Sequence, residues 1–476
     1  MIDELINDHA QIADSTKLEW ERYLASKTGV PIKTRQMPDY SKVNNKIAND
    51  FVGEIVDTKV GYFAGIPINY EIDKTKYEKK KEGMLQKLYD AFVKSNNQQY
   101  IEHADYIENF VTRSNLHDLD AEMTKLLAAC GVAGRKLYID NEGLERVVNI
   151  KPWKIIFLLN ANKEVEYALI YYPELNNNKE LVTKVEFYDS DNITYFVENT
   201  DKNTSNEFKY VLDSEYIVNP IEHTFDFCPV VLYENNEEQQ SDCHKVIDII
   251  DNYDRAFSDM SSEIEQFRLA YMFFKGEEPS EEIMQVALQT GAFGIDVTSE
   301  VGFIAKNLDP SFNNAFLDRS EDNIQRFAKH VNFMDENFAG QATGIALKYK
   351  LQALSNKCIT LESKFKTSSR YMFKILCSSW AKRKVVIDYL SIFYTFKRNL
   401  PTDYEYEAKV SQLLKGNISE RTRLGLFSFI DDVDYELEEM KKDAEAYSTE
   451  FTNPNANVDD QFNMNNLGDD NAAETI

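Results

Sequence analysis

Apolar positions recur at helical spacing through the first 130 residues. In KVNNKIANDFVGEIVDTKVGYFAG, residues Val43, Ile47, Phe51, Ile55 and Val56 fall on one helical face. Gly65 and Pro67 then punctuate the pattern. YEKKKEGMLQKLYDAFVKSN and DAEMTKLLAACGVAG continue it. From about 135 to 235 the period changes to two. WKIIFLL, VEYALIYY, TKVEFYD, ITYFVEN and FKYVLD are short runs rich in Val, Ile, Tyr and Phe, separated by turns such as NNNK and DSDN. These predict an antiparallel sheet inserted between helical regions.

The helical period returns over 241–274. Val246, Ile249, Ile250, Tyr253, Phe257, Ile264 and Phe267 trace an apolar stripe with acids elsewhere. At about 1.5 Å per residue this helix would be roughly 45–50 Å long, which suits a bundle or a stalk. KGEEPSEEIMQ breaks it, and GAFGIDV and VGFIAKNL read as two short strands with a turn at Thr298–Glu300. A second long helix is expected from Pro310 to Phe338, and a third from just past Gly344 to about 383. The strand LSIFYTFKRNLP follows, and NISERTRLGLF and VDYELEEMKKDAEAY form two last helices. The Asn- and Asp-rich stretch 451–476 has no basic residue and reads as a disordered acidic tail. The fold class is α+β, mainly helical. At 476 residues, two to four domains are expected.

Charge changes the picture. The net charge is -27. A protein that grips nucleic acid by its phosphates carries a basic surface, so this chain either never meets nucleic acid or meets it without holding it. Five cysteines (Cys130, Cys228, Cys243, Cys358, Cys377) include no CxxC pair, which predicts buried, reduced thiols and folding in a reducing cytosol. MIDELINDHAQIADS is acidic and polar, unlike a secretory signal. No apolar run approaches about 18 residues, so no membrane span is expected.

Catalytic constellations are absent from the sequence. There is no phosphate-binding GxxxxGK[ST], no GxSxG and no GxGxxG, and the six histidines never fall in HxxxH or HExxH. Cys243 and His244 are adjacent, so on a helix they point different ways. Asp248, Asp251, Asp254 and Asp259 fit either a nuclease metal site or a solvated acidic helix face. Neither a catalytic residue nor a metal or cofactor is assigned. FAGQATGIALKYK, between the second and third long helices, opens on an uncharged, small-residue linker.

Five segments then carry a resemblance. NNKIANDFVGEIVDTKVGYFAGIPINY, DFCPVVLYENNEEQQSD, ATGIALKYKLQAL, TFKRNLPTDYEYEA and LKGNISERTRL, taken in order, resemble the portal proteins of tailed bacteriophages, of the long-tailed type from Gram-positive hosts. The likeness runs over roughly 40 to 440. It implies a homo-oligomeric ring, a dodecamer in the virion, at one capsid vertex. Double-stranded DNA would enter through that ring during packaging and leave through it during ejection. It also implies a fold with wing, stem, clip and crown. The wing would be 1–240, including the sheet at about 135–235. The stem would be 241–272 and 313–337, with the clip at 273–312 between them. Residues 338–344 would be the tunnel loop, 345–405 a long helix and strand returning to the wing, and 406–450 the crown.

On that mapping Ala339, Gly340, Gln341, Ala342, Thr343 and Gly344 would line the DNA channel. A basic collar there would bind phosphates and stall translocation. Gln341 and Thr343 offer weak, sequence-blind polar contacts instead, and Gly340 and Gly344 let the backbone hinge. The plainer reading is a helix–helix connector. Lys348 and Lys350 would face DNA at the channel mouth or pair with neighbouring acids. Glu277, Glu278, Glu281 and Glu282 would contact the terminase large subunit or a head–tail adaptor, or form a solvated turn. Tyr253, Phe257, Ile264 and Phe267 would pack stem against stem. Major capsid and scaffolding proteins complete the implied partners, with no membrane. The protein would be made in the host cytoplasm and reside in the virion. Two other readings are a metal-dependent DNA-processing enzyme and a passive head–tail adaptor ring.

Overall fold

The computed structural model describes residues 1–37, 43–73, 86–176, 179–199, 209–267, 271–275, 280–290, 300–304, 310–332, 344–399, 404–427, 429–430 and 433–451. The chain divides into two compact units, Met1–Asn399 and Leu400–Ile476. Helix and sheet are mixed, as an α+β chain requires. Among the described residues no helix is long and apolar enough to cross a membrane.

Four helices open the larger unit: α1 (Ile2–Tyr23), α2 (Phe51–Ala64), α3 (Gln86–Arg113) and α4 (Leu116–Cys130). Asp50 caps α2 by accepting from the Gly53 amide at 3.2 Å. Helix α4 ends at Gly131, whose φ of +84° is left-handed. A Cβ there would also stand 2.1 Å from the Gln239 carbonyl oxygen, so this cap admits only glycine. The expected early helix is shorter than its pattern. Val43 and Ile47 share a spacing with Phe51, yet 43–50 has no regular helix. The helical reading also missed a strand, β1 (Asn69–Ile72).

The sheet region is two sheets. Strands β2 (Val132–Ile139), β3 (Glu145–Ile150) and β10 (Val230–Glu234) form one, in the order β10-β2-β3. The other runs β4 (Ile155–Leu159), β5 (Val165–Leu175), β6 (Leu181–Tyr188), β7 (Asn192–Glu198) and β8 (Tyr210–Leu212), with β9 (Ile221–Glu222) also paired to β7. Every pairing is antiparallel. All five period-two segments of the sequence are strands of the second sheet. Ile155, Ala168, Ile170, Tyr188, Cys228 and Val230 form a shared core. Leu169, Val185 and Tyr210 pack on Ile2 of α1 as another. All five cysteines are free and buried.

Next come α5 (Ile247–Phe267), β11 (Tyr271–Lys275), α6 (Glu281–Thr290), β12 (Glu300–Ile304), α7 (Pro310–Ala328) and α8 (Gly344–Lys382). The helix expected to reach residue 274 therefore stops at Phe267. Its tail, Tyr271–Lys275, is the strand that pairs antiparallel with Glu300–Ile304. VGFI is a strand as expected; GAFGIDV lies outside the described residues. The error was one of period: YMFFK is a short aromatic run that suits helix and strand alike. Strand β13 (Ile392–Thr395) pairs with β1, joining the segment after α8 to the N-terminal helices. The smaller unit holds α9 (Tyr404–Leu414), α10 (Glu420–Leu424) and α11 (Val433–Phe451). The first of these was not read from the sequence. The expected tail falls, from residue 452 on, outside the described residues.

One buried ion pair ties α4, both strands of the β2–β3 hairpin and α8 together. Arg135 is fully buried on β2 and donates to Asp120 Oδ1 at 2.8 Å, to the Leu119 carbonyl at 3.1 Å and to Asn149 Oδ1 at 2.9 Å. Its guanidinium lies 5.0 Å from the Tyr233 ring centre, and the Tyr233 hydroxyl meets Ser369 Oγ at 3.3 Å. Tyr70 donates to the other oxygen of Asp120. Removing one partner of such a pair strands a charge in the core. Arg135→Met is therefore expected to destabilise the larger unit by about 3–5 kcal/mol. Urea unfolding is the check, and adding Asp120→Asn to the same chain should recover some of the loss.

Candidate functional site

Helix α5 is held on two faces. On one, Val246, Ile250 and Tyr253 pack with Leu317, Ile324 and Ala328 of α7, and with Val52 of α2, in a single buried cluster. The Tyr253 ring meets Phe51 edge-on at 5.0 Å and stacks on Phe257 at 6.1 Å. Tyr253 is thus spent inside its own chain and Phe257 is partly so. Ile264 is 60% exposed, as are Phe312 at 70% and Phe316 at 37% on α7. Phe267 is the last residue of α5.

The other face carries a strap. Residues 43–50 run along α5, and three alternate backbone amides find three side chains spaced four apart. Asn49 N–H donates to Asp254 Oδ1 at 2.8 Å, Ile47 N–H to Ser258 Oγ at 2.9 Å, and Asn45 N–H to Ser262 Oγ at 3.0 Å. Ser258 also donates back to the Ile47 carbonyl at 3.1 Å. The match is geometric. Two residues of extended chain rise about 6.6 Å, and four residues of helix rise about 6 Å. That ladder explains why 43–50 is not helical despite its pattern: α5 supplies the partners a helix would have supplied internally.

The acids of α5 are mostly engaged rather than solvated. Asp251 takes a two-pronged bond from Arg22 at 2.7 and 3.0 Å. Asp259 pairs with Arg35 at 2.5 Å. Asp254 is buried, and desolvation pushes its carboxyl above the usual value. Asp248 is exposed. Among the described residues no group of three or more His, Cys, Asp or Glu could hold a metal ion. Cys243 lies in the α5 core, where burial pushes its thiol up to about 12.

At the base of α5 and α7 lies a buried ionic node. Asp242 precedes α5. Its Oδ2 meets Lys59 Nζ of α2 at 2.8 Å, and its Oδ1 meets Lys357 Nζ of α8 at 3.2 Å. Lys59 also donates to Asn235 Oδ1 at 2.7 Å, and Asn235 Nδ2 donates to Asp242 Oδ1 at 2.9 Å. Burial alone would raise the Asp242 carboxyl; Lys59 and Lys357 outweigh it and hold the group below its ordinary value. A polar cavity of about 650 Å³, lined by Lys59, Asn235, Asp242, Lys329 and Lys357, opens beside the node.

Lys357 donates as well to the carbonyl of Ala328, the last residue of α7, at 2.8 Å. The end of α7 and the approach to α5 thus meet at one ammonium, so the two helices run antiparallel. Helix α7 closes with His330 N–H on the Gln325 carbonyl at 2.9 Å and Lys329 N–H on the Arg326 carbonyl at 3.4 Å. This is the double-bonded C-terminal turn that normally wants glycine at its left-handed position. Here that position is Lys329, with φ of +55°. His330 Nε2 then lies 3.1 Å from Glu54 Oε1 of α2.

Of the residues singled out from sequence, Ala339, Gly340, Gln341, Ala342 and Thr343 lie outside the described residues, as do Glu277 and Glu278. Gly344 is the first residue of α8. Lys348 and Lys350 sit in its first two turns, about 200° apart around the axis, so their backbone positions are on opposite sides. Glu281 and Glu282 are exposed in the first turn of α6, where acids favour the helix dipole. Lys59, Asp242, Lys357 and the Asp254–Ser258–Ser262 row were not found from sequence. The row had a signal, three small polar residues at i, i+4 and i+8 on an otherwise long helix.

Comparison with known proteins places this arrangement. The chain matches the family described as phage portal protein, SPP1 Gp6-like, over residues 2–450. Among similar proteins, the portal protein of Clostridium phage phiCD119 is 25% identical over 455 residues, covering 90% of this chain and 92% of the relative. The portal protein of Bacillus phage SPP1 is 23% identical over 476 residues, covering 94% of this chain and 87% of the relative.

Ser258 satisfies both polar groups of Ile47, and each such group left bare costs about 1–3 kcal/mol. A chain carrying Ser258→Ala and Ser262→Ala is therefore expected to lose amide protection at Asn45 and Ile47 in hydrogen exchange. Protection in the β5–β6 hairpin should not change.

Proposed function

The chain belongs to the SPP1 Gp6-like family of phage portal proteins, and on that footing we propose that it assembles into a ring through which double-stranded DNA passes. The observation that carries the reading is the family match over residues 2–450. The family is structural rather than enzymatic, and its members are virion components. Ring formation by self-association and association with the capsid follow from membership.

The finer mapping is our proposal. The wing comprises 1–240 together with 345–405, and the crown, 406–450, lies in the smaller unit. The antiparallel pair α5 and α7 supports the assignment of 241–272 and 313–337 to the stem, but α7 ends at Ala328, short of the helix to Phe338 that the sequence pattern predicts, because its turn closes at Lys329 and His330. The β11–β12 hairpin with α6 between its strands supports a clip at 273–312, whose exposed Glu281 and Glu282 suit a partner with basic groups. That partner is the terminase large subunit during packaging and a head–tail adaptor afterwards. Residues 338–344 form the tunnel loop, and Gln341 and Thr343 touch passing DNA without neutralising its phosphates. Ile264, Phe312 and Phe316 are apolar and exposed in the single chain, which supports a stem face that a neighbouring subunit covers.

The deciding measurement is the solution mass of the purified protein with electron micrographs of the same fraction. The subunit is 55.1 kDa. A ring about twelve times heavier, with a hole of roughly 20–25 Å or more, matches the reading. A monomer that cleaves DNA with Mg²⁺ would overturn it.

Three substitutions test the mapping. Ile264→Asp is expected to abolish rings, because the neighbour would bury an unpaired charge; size-exclusion mass reads this directly. Gln341→Lys or Thr343→Lys should leave rings intact yet lower filled-head yield by about tenfold, since each added cation gains a phosphate contact and releases counterions. Normal yields from both lysine variants would remove the tunnel-loop assignment.

A further inference from the structure

The cavity beside the ionic node carries the opposite charge to the chain as a whole. The protein's net charge is -27, yet Lys59, Lys245, Lys329 and Lys357 line this cavity against only two acids, Asp242 and Glu238. Asp242 is shared between Lys59 and Lys357, so the node sets two ammoniums on one carboxylate. The Lys59 and Asp242 side chains are 2% and 1% exposed, and like charges in such a medium repel strongly. Burial pushes the Lys357 ammonium below its ordinary value, with Asp242 pulling the other way and Lys59 adding to the push. Hydrogen bonding is incomplete as well. An ammonium has three donors. Lys59 directs them to Asp242 and Asn235, and Lys357 to Asp242 and the Ala328 carbonyl. Each keeps one N–H with no acceptor among the described residues. At the rim, Lys245 before α5 and Lys329 after α7 are exposed, and their ammoniums meet no carboxylate among the described residues.

We propose that this cavity binds a small phosphate compound, whose oxygens take the unspent N–H groups of Lys59 and Lys357 and whose charge Lys245 and Lys329 balance at the rim. A phosphate group is anionic at neutral pH, offers several acceptor oxygens and suits lysine ammoniums as point charges. The cavity volume of about 650 Å³ lies within the range of small-ligand sites, about 300–1,000 Å³. A DNA duplex is far too wide to enter it, so the occupant is a free compound rather than the polymer. The walls are mostly polar, with Asn236, Asn356 and Thr360 among them, which favours a hydrophilic ligand over an apolar one. The four lysines come from α2, the approach to α5, the end of α7 and α8. A bound phosphate therefore ties together the elements that Asp242 already joins. The site stands apart from the portal reading, because it rests on the charge, burial and cavity of a single chain.

The test titrates the full-length protein with inorganic pyrophosphate by isothermal calorimetry, at constant ionic strength held with chloride. We expect saturable binding of one pyrophosphate per subunit with a Kd below about 1 mM. Lys245→Gln together with Lys329→Asn removes both rim cations, and asparagine tolerates the left-handed backbone at 329. In that chain the Kd should rise about tenfold or more. Lys17→Gln with Lys27→Gln removes the same net charge from exposed lysines outside the cavity, and should leave the Kd within about twofold. Glu238→Gln removes a rim acid and should tighten binding about threefold, a gain that a damaged fold does not imitate. A nucleoside 5′-diphosphate is titrated alongside. Tighter binding than that of pyrophosphate identifies the occupant as an organic phosphate, and weaker binding as the inorganic one. Absence of saturable binding, or equal loss of affinity in the two lysine pairs, overturns the proposal. Binding per subunit is read the same way in a ring or a monomer, so failure of the portal reading leaves this result untouched.

Discussion

A carboxylate with its oxygens buried away from water must be met by cations, and Asp242 imposes that demand on four elements at once. Lys59 comes to it from α2 and Lys357 from α8, while Asn235 reaches it from the loop after β10. None of these residues lies near another in sequence except Asn235 and Asp242. Their meeting decides how the N-terminal helices, the sheet, α5 and α8 are arranged around one point. Taking Asp242 away leaves two lysines without their counter-charge, and taking either lysine away leaves the carboxylate only partly compensated in a medium that penalises charge. The apolar cluster of α5 and α7 packs directly above this base, so hydrophobic burial supplies the attraction and the ionic node supplies the register.

The Arg135 pair does the same farther along α8. It joins α4 to β2, β3 and, through Tyr233 and Ser369, to α8. Helix α8 thus touches both buried polar groups, with Lys357 near its start and Ser369 farther along. A helix fixed at two polar points along its length has little freedom to rotate about its axis or slide along it.

Much of this was legible in the chain. The five alternating runs between 155 and 212 became strands because period two has no competing meaning there. The third long helix begins and ends within a residue of its expected limits. What escaped detection was decided by tertiary partners. Val43 and Ile47 carry a helical spacing, but Ser258 and Ser262 captured the backbone that a helix would have used. YMFFK read as helix, and its strand partner at Glu300–Ile304 lies too far away in sequence to be inferred. The acids of α5 looked like a solvated face because Arg22 and Arg35 come from elsewhere in the chain. The family resemblance was readable from five segments, since it rests on order along the chain. The node was not, because a lysine and an aspartate separated by more than a hundred residues leave no pattern.

The strap on α5 has a mechanical consequence. Its three amide bonds are arranged in a line parallel to the helix axis. Tension applied along that axis loads the three in parallel, so they must rupture together. Tension applied at right angles from one end loads them in series, and they break singly, in succession, at far lower force. A subunit built this way is anisotropic: stiff against traction along α5 and compliant against lateral peeling. In a ring, the direction of greatest strength would coincide with an axial load wherever α5 lies along the ring axis.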